Sequence, residues 1–280
     1  MSISSIAFVS CSNGLSKSIA PQIQALTIFC ERQGFHVLQS PYLYAPDNLP
    51  AFSAQQRAST LMSFFNNPSV KYIFDLSGGD MANEVIPFLD FNQIHHSSAV
   101  FCGYSDLTVL INAIFCKASK PSVLYQPRHL LQNESIQANF FENLSAQSGK
   151  LFNFEDTFLC GSSLSGTVIG GNVRCFLKLA GTPFFPSPKN KILFLESCGG
   201  TIPQLSTYFA QLFQLNFFNE INGILLGTFT EFEKTHPDKS VYSLLKPYLP
   251  SNLPIAQTSQ IGHAPSSLAL TIGTHLELMA

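Results

Sequence analysis

Charge is scarce in this sequence: 15 lysines and arginines and 17 acidic residues make up 11% of 280 residues, with a formal net charge of -2. The charges are mixed in sign and scattered, so no basic stripe awaits a phosphate backbone, and nucleic acid is excluded as an expected partner. Long apolar runs are also missing. None approaches the roughly 18 to 20 residues that a membrane span requires, which leaves no expected membrane partner. The seven cysteines form neither a Cys-x-x-Cys pair nor zinc-type spacing. They lie mostly inside apolar runs and read as reduced core thiols of a cytoplasmic protein. The opening Met1-Ser-Ile-Ser-Ser-Ile-Ala-Phe-Val-Ser-Cys11 has no Lys or Arg before Lys17, and its apolar core is too short for an export signal. Internal repeats and low-complexity segments are absent, as is tryptophan.

What is present is a 45% hydrophobic composition in 280 residues, enough for one large or two modest domains. Short β-branched and aromatic runs at Ile6–Val9, Phe35–Leu38, Val70–Leu76 and Ala99–Cys102 alternate with amphipathic stretches. That rhythm predicts a parallel sheet covered by helices, an α/β fold whose strands are buried on both faces. It breaks near Gln126-Pro127, and the polar stretch Gln132–Lys150 reads as a connection carrying one helix. Strands resume at Gly166–Gly170, Lys191–Glu196 and Gly223–Leu226, with helices after Asn172 and Thr201 and a β-rich tail from Ile255 to Leu278. The expected division is an N-terminal α/β domain over 1–130, a connection over 131–164 and a C-terminal domain over 165–280.

Phe101-Cys-Gly-Tyr-Ser-Asp-Leu-Thr-Val-Leu110 carries the strongest chemical signal. A buried strand ends at Gly103, Ser105 follows, and a helix begins at once, a turn that presents a hydroxyl clear of the sheet beside helix amides. A Ser-Asp pair at such a place also serves simply to cap a helix. Asp75-Leu-Ser-Gly-Gly-Asp-Met-Ala-Asn83 adds paired glycines after a strand, where backbone amides can approach a ligand. It lacks the third Gly of a dinucleotide fingerprint and the Lys-Ser/Thr of a phosphate loop, so nucleotide binding is a weak alternative. Glu196 ends the strand Lys191-Ile-Leu-Phe-Leu-Glu196, where parallel sheets gather catalytic groups, and His263 stands in the loop Ile261-Gly-His-Ala-Pro265. A strand-end Glu or a loop His alone is usually bland; the order Ser, Glu, His joins them.

Together these segments resemble the LD-carboxypeptidase family of serine peptidases, which includes muramoyl-tetrapeptide carboxypeptidases and microcin C immunity peptidases. Val9-Ser-Cys-Ser-Asn-Gly-Leu15 is similar to the family's opening strand and turn, and Gly78-Gly79 through Val85-Ile-Pro-Phe-Leu-Asp90 to its Gly-Gly segment. Gly103-Tyr-Ser-Asp-Leu-Thr108 resembles the nucleophile motif nearly letter for letter. Gly170-Gly-Asn172 with Leu179-Ala-Gly-Thr-Pro183, Leu193-Phe-Leu-Glu196, Gly223-Ile-Leu-Leu-Gly227 with Phe229, and Gly262-His263 followed by Ile272-Gly273 complete the set in order.

The resemblance implies a parallel-sheet N-terminal nucleophile domain with a smaller, β-rich, swivelling C-terminal domain, and a site in the cleft between them. It implies Ser105 as nucleophile, His263 as general base, Glu196 as the group orienting the imidazole, and Gly79 and Asp106 as sources of oxyanion amides. No metal or organic cofactor is implied, and the family's habit points to a homodimer. The implied substrate is a small peptide, a cytoplasmic murein tetrapeptide ending in D-Ala. An aminoacyl-nucleotide amide of the microcin type is the alternative, disfavoured by the absence of Trp as a stacking platform.

The departures bear on substrate. Ser197-Cys-Gly-Gly200 and Gln204 stand where the family carries acidic residues and an Arg; Tyr125-Gln-Pro127 replaces Tyr-Gly-Pro, and Leu270-Thr271 replaces Leu-Pro. Of the arginines at Arg32, Arg57, Arg128 and Arg174, the last two are the candidate partners of a substrate carboxylate. Three further readings remain at this level. An α/β-hydrolase esterase would need Gly where Leu107 stands. A metallopeptidase would draw on His95 and His96. A non-catalytic ligand-binding protein could use the same scaffold.

Overall fold

The computed structural model describes residues 4–146 and 151–280, and residues 147–150, within the expected connection, lie outside the described residues. The first half alternates β1 (Ser5–Val9), α1 (Ala20–Arg32), β2 (His36–Gln39), α2 (Ala54–Phe65), β3 (Val70–Asp75), α3 (Phe91–His96), β4 (Val100–Gly103), α4 (Thr108–Ala118) and β5 (Ser122–Leu124). Local chemistry sets several boundaries. Ser53 and Gln56 form a capping box that starts α2, an arrangement that stabilises a helix by about 1 kcal/mol. Ser119, in the left-handed region at φ +51, ends α4.

After two short helices, α5 (Glu134–Gln137) and α6 (Phe140–Ala146), come β6 (Thr157–Cys160), β7 (Ser163–Asn172), α7 (Val173–Leu177), β8 (Lys191–Ser197) and α8 (Ile202–Gln214). The chain closes with β9 (Gly223–Phe229), α9 (Thr230–Thr235), α10 (Val241–Leu245), β10 (Ile255–Gln257), β11 (Leu270–Ile272) and β12 (His275–Met279). The connection therefore carries two helices where one was expected.

The strands form two six-stranded sheets, ordered β11-β5-β4-β3-β1-β2 and β12-β7-β8-β9-β10-β6. Both are parallel in their interiors and antiparallel at edges: β11 runs against β5, β12 against β7 and β6 against β10. The expected domain limits are thus crossed twice. β6 and the start of β7 belong to the second sheet although they precede residue 165, and β11 returns to the first sheet.

Phenylalanine fills the cores that tryptophan does not. Phe8 stacks on Phe74 with ring centroids 6.2 Å apart, next to Phe140 and Phe141, and Phe176, Phe185 and Phe217 form a second knot under the other sheet. Each such burial stabilises the fold by roughly 1.5 to 3 kcal/mol. In the first sheet β1, β3 and β4 are neighbours, so their carboxyl ends deliver Ser12, Gly79 and Ser105 to one edge. The carboxyl ends of β7 and β8 do the same for Asn172 and Glu196, which are paired in register.

Candidate active site

Ser105 follows β4 through an extended Tyr104 and adopts φ +55, a left-handed conformation uncommon for a residue with a Cβ. Such strain, of order 1 to 3 kcal/mol, persists where surroundings enforce it. Gly103 permits the turn, because a Cβ there would lie 2.8 Å from Leu107 Cβ. From Phe101 to Leu110 every residue is buried except Ser105. Neither Ser105 nor Asp106 caps the following helix, so the bland reading of that pair does not describe it.

The Asp106 carboxylate is fully buried and accepts hydrogen bonds from Ser12 Oγ (2.7 Å), Ala82 N (2.8 Å) and Lys178 Nζ (2.5 Å). Gly79 sits beside it at φ +128, against an Asn13 side chain that leaves no room for a Cβ. Its amide donates to no group among the described residues. Arg57 knits these loops from below, donating to the carbonyls of Cys11, Ser12 and Met81 and pairing with Glu84 at 2.6 Å.

On the second sheet, Glu196 lies where the β8–β9 register shifts, an irregularity of the kind that re-aims a side chain. Its Oε2 is 2.5 Å from His263 Nδ1, with the two side chains 1% and 9% exposed. The loop 258–269 that carries His263 is pinned from both halves. Thr228 N donates to Ile261 O at 3.0 Å, Tyr104 Oη donates to Gly262 O at 3.3 Å, and the Tyr104 ring lies 4.3 Å from the imidazole. Burial, then the charge of Glu196, pushes the Tyr104 phenol far above its usual range, so it stays a neutral donor. His263 Nε2 is buried and has no hydrogen-bond partner among the described residues. Glu196 and His263 are therefore in contact, while no hydrogen bond closes from Nε2 to Ser105.

The halves are joined through α4. Asn172 N donates to Thr108 Oγ1 at 3.0 Å, and Asn112 exchanges hydrogen bonds of 2.8 and 2.9 Å with Gly170. Gly171, at φ +136, allows this approach; its Cβ would lie 2.6 Å from Thr108 Oγ1. Above Ser105 opens a cleft of about 260 Å³ walled by Asn172, Arg174, Cys198, Gln204 and Tyr208 among others.

Arg174 pairs with Asp80 and donates to Gly79 O at 3.3 Å. Arg128 is not on the cleft wall. Its buried Nε has no partner, and its charge acts on Tyr104 and His129. Gln204, where the family has other residues nearby, accepts from Thr201 N at 2.8 Å at the start of α8.

The cysteines are all free, but only Cys11, Cys30, Cys102 and Cys175 are buried, and exposed Cys198 reaches the cleft. Burial and the nearby Glu196 and Glu231 raise the Cys198 thiol, which makes it a poor rival nucleophile. His95 and His96 bond to the carbonyls of Ala118 and Asn92, and no cluster of three or more potential ligands stands among the described residues. Tyr104 and Lys178 escaped the sequence reading: Tyr104 stands beside Ser105 in the quoted motif but nothing there gave its side chain a role, and nothing around Lys178 marks it.

Residues 6–125 match the model of the LD-carboxypeptidase N-terminal domain, and residues 165–278 that of the LD-carboxypeptidase C-terminal domain. The probable murein peptide carboxypeptidase of Bacillus subtilis (strain 168) is 25% identical over 90% of this chain and 82% of its own length. The microcin C7 self-immunity protein MccF of Escherichia coli is 24% identical over 89% of this chain and 83% of its own. The structure of MccF in complex with glutamyl sulfamoyl guanosine superposes with a TM-score of 0.86 at 21% identity, covering 99% of this chain and 93% of that one. With one family domain matched over the half that carries Ser105 and the other over the half that carries Glu196 and His263, the chain belongs to the LD-carboxypeptidase family of peptidases.

Proposed function

We propose that the chain is a serine LD-carboxypeptidase that releases D-Ala from the end of cytoplasmic murein tetrapeptides, a step of peptidoglycan recycling, acting as a homodimer. The observation that carries this reading is the buried 2.5 Å contact of Glu196 with His263, whose ring lies 4.3 Å from that of Tyr104, the residue before the strained, half-buried Ser105. Ser105 Oγ attacks the scissile carbonyl while His263 Nε2 takes its proton and returns it to the leaving amine. Glu196 holds the Nδ1 proton and steadies the imidazolium. The Gly79 and Asp106 amides receive the developing oxyanion. Water then resolves the acyl-enzyme, so the cycle draws on no cofactor.

The terminal carboxylate is assigned to Arg174 in preference to Arg128. Arg174 lines the cleft with Ser105 and is oriented by Asp80 and Gly79 O, which leaves further donors of its fork for a ligand. A second reading, hydrolysis of an aminoacyl-nucleotide amide, is favoured by Tyr208 on the cleft wall, an aromatic face on which a base can stack.

The test is incubation with a murein tetrapeptide, its amidated form, the pentapeptide and an aminoacyl-nucleotide amide, with products identified by mass spectrometry. Loss of D-Ala from the free-acid tetrapeptide alone is expected. Cleavage of the nucleotide amide alone would transfer the assignment to the second reading. Failure on all four, with Ser105 unlabelled by a fluorophosphonate probe, would overturn both.

A further inference from the structure

The residue after the nucleophile is tied to the opposite half of the molecule. Asp106 Oδ2 is held by Ser12 Oγ and Ala82 N, from the first half, and Oδ1 by Lys178 Nζ at 2.5 Å, from the end of α7. The Lys178 side chain is 19% exposed and the Asp106 side chain 0%. The same ammonium donates to the Asp80 carbonyl at 2.9 Å and lies 3.9 Å from Asp80 Oδ1. Arg174 and Lys178 are four residues apart, a spacing that puts both on one side of a helical turn, and both reach across to the Gly79–Asp80 loop.

We propose that Lys178 is a positioning residue for the hydrolysis, acting through Asp106 to hold Ser105 in register with the Glu196–His263 pair. The inference rests on the serine-hydrolase reading of the site. A positive φ at Ser105 is uphill, and the turn keeps it only while its neighbours are fixed. Three donors on the Asp106 carboxylate fix both its side chain and the backbone amide that faces the oxyanion. Two of those donors belong to the nucleophile's own half. Lys178 brings a charged donor from the half that carries the base, where the Cys175 thiol also meets Asp106, so it sets the nucleophile relative to the base as well as within its own sheet. Without the ammonium, the carboxylate is left buried with neutral donors only, which is unfavourable, and the turn relaxes. A displacement of about 1 Å lowers a rate by about 10²-fold.

The experiment compares wild type, Lys178→Met and Lys178→Arg by melting temperature, by kcat and KM on the substrate that wild type cleaves, and by the rate of Ser105 labelling with a fluorophosphonate. Lys178→Met is expected to lower kcat and the labelling rate of folded protein by about 10²-fold with little change in KM, and Lys178→Arg to recover part of both. A lower melting temperature with unchanged labelling and kcat per folded molecule would mean a merely structural role and overturn the proposal. Where Lys178→Met does not fold, Lys178→Gln decides: slower labelling at unchanged melting temperature supports it, and wild-type labelling refutes it. Wild type that neither turns over nor labels would instead remove the serine-hydrolase reading itself.

Discussion

On the first sheet the proposed nucleophile comes from backbone that leaves little freedom: β4 ends, Ser105 takes a left-handed φ, and helix turns follow without a loop. On the second, His263 stands within residues 258–269, between strands that belong to different sheets. Its place is set by side chains and single hydrogen bonds: Glu196 at Nδ1, Tyr104 against the ring, and Tyr104 Oη and Thr228 N on the adjoining backbone. The difference teaches that Ser105, the proposed nucleophile, takes its conformation from local chain geometry with a tie to the other half through Lys178, whereas His263, the proposed base, is held chiefly by side-chain contacts, some of them between halves. The base should therefore be the more sensitive to changes at the junction.

The largest expected effects remove the groups themselves. Ser105→Ala or His263→Ala should each lower kcat by about 10⁴-fold or more, read as turnover of the murein tetrapeptide. Glu196→Gln keeps the shape of the side chain but not its charge, and a loss of about 10³- to 10⁴-fold is expected in the same assay.

A wedge at the junction comes next. Gly171→Ala would set a Cβ against Thr108 at a positive φ, with an expected destabilisation of about 1 to 3 kcal/mol measured by denaturant unfolding. The comparison sharpens if its kcat and its Ser105 labelling fall together, because both reactions need His263 to take the Ser105 proton. Tyr104→Phe keeps the ring on His263 and removes only the 3.3 Å bond to Gly262 O. A loss of about 1 kcal/mol is expected.

The smallest effect concerns pH. Burial first, then the charges of Arg128 and His263, push the His129 imidazole down from 6.5 to about 4. The unfolded chain binds a proton in that window that the native chain does not. The stability linked to His129 is therefore complete above pH 6.5 and is lost as pH falls toward 4. His129→Gln should flatten the decline of melting temperature between pH 7 and 5; an unchanged decline would assign it to other groups.

Much of the site was legible because its signals are local. An apolar run that stops at Gly103, and a strand whose last apolar residue precedes Glu196, mark strand ends wherever they occur, and both strands form where expected. His263 was legible only through chain order and resemblance, since a Gly/Pro loop does not tell which strands it bridges. The return of β11 to the first sheet was not legible, because pairing of Leu270–Ile272 with Ser122–Leu124 is a register between distant segments of three residues each. Lys178, inside Phe176-Leu-Lys-Leu179, reads as an ordinary solvated helix charge until the fold sets it against Asp106. Arg174 looked free for a ligand, and only the tertiary structure shows Asp80, 94 residues away, holding it.

The central claim is that Ser105, at the end of β4, and His263, in the loop that bridges the two sheets, act as one unit. It is tested most directly by a double-mutant cycle of Ser105→Ala and His263→Ala on the tetrapeptide, with each variant shown to be folded by thermal melts. The account predicts that the double variant turns over no more than about threefold slower than the weaker single variant. Losses that multiply, or near wild-type turnover in Ser105→Ala, would contradict it.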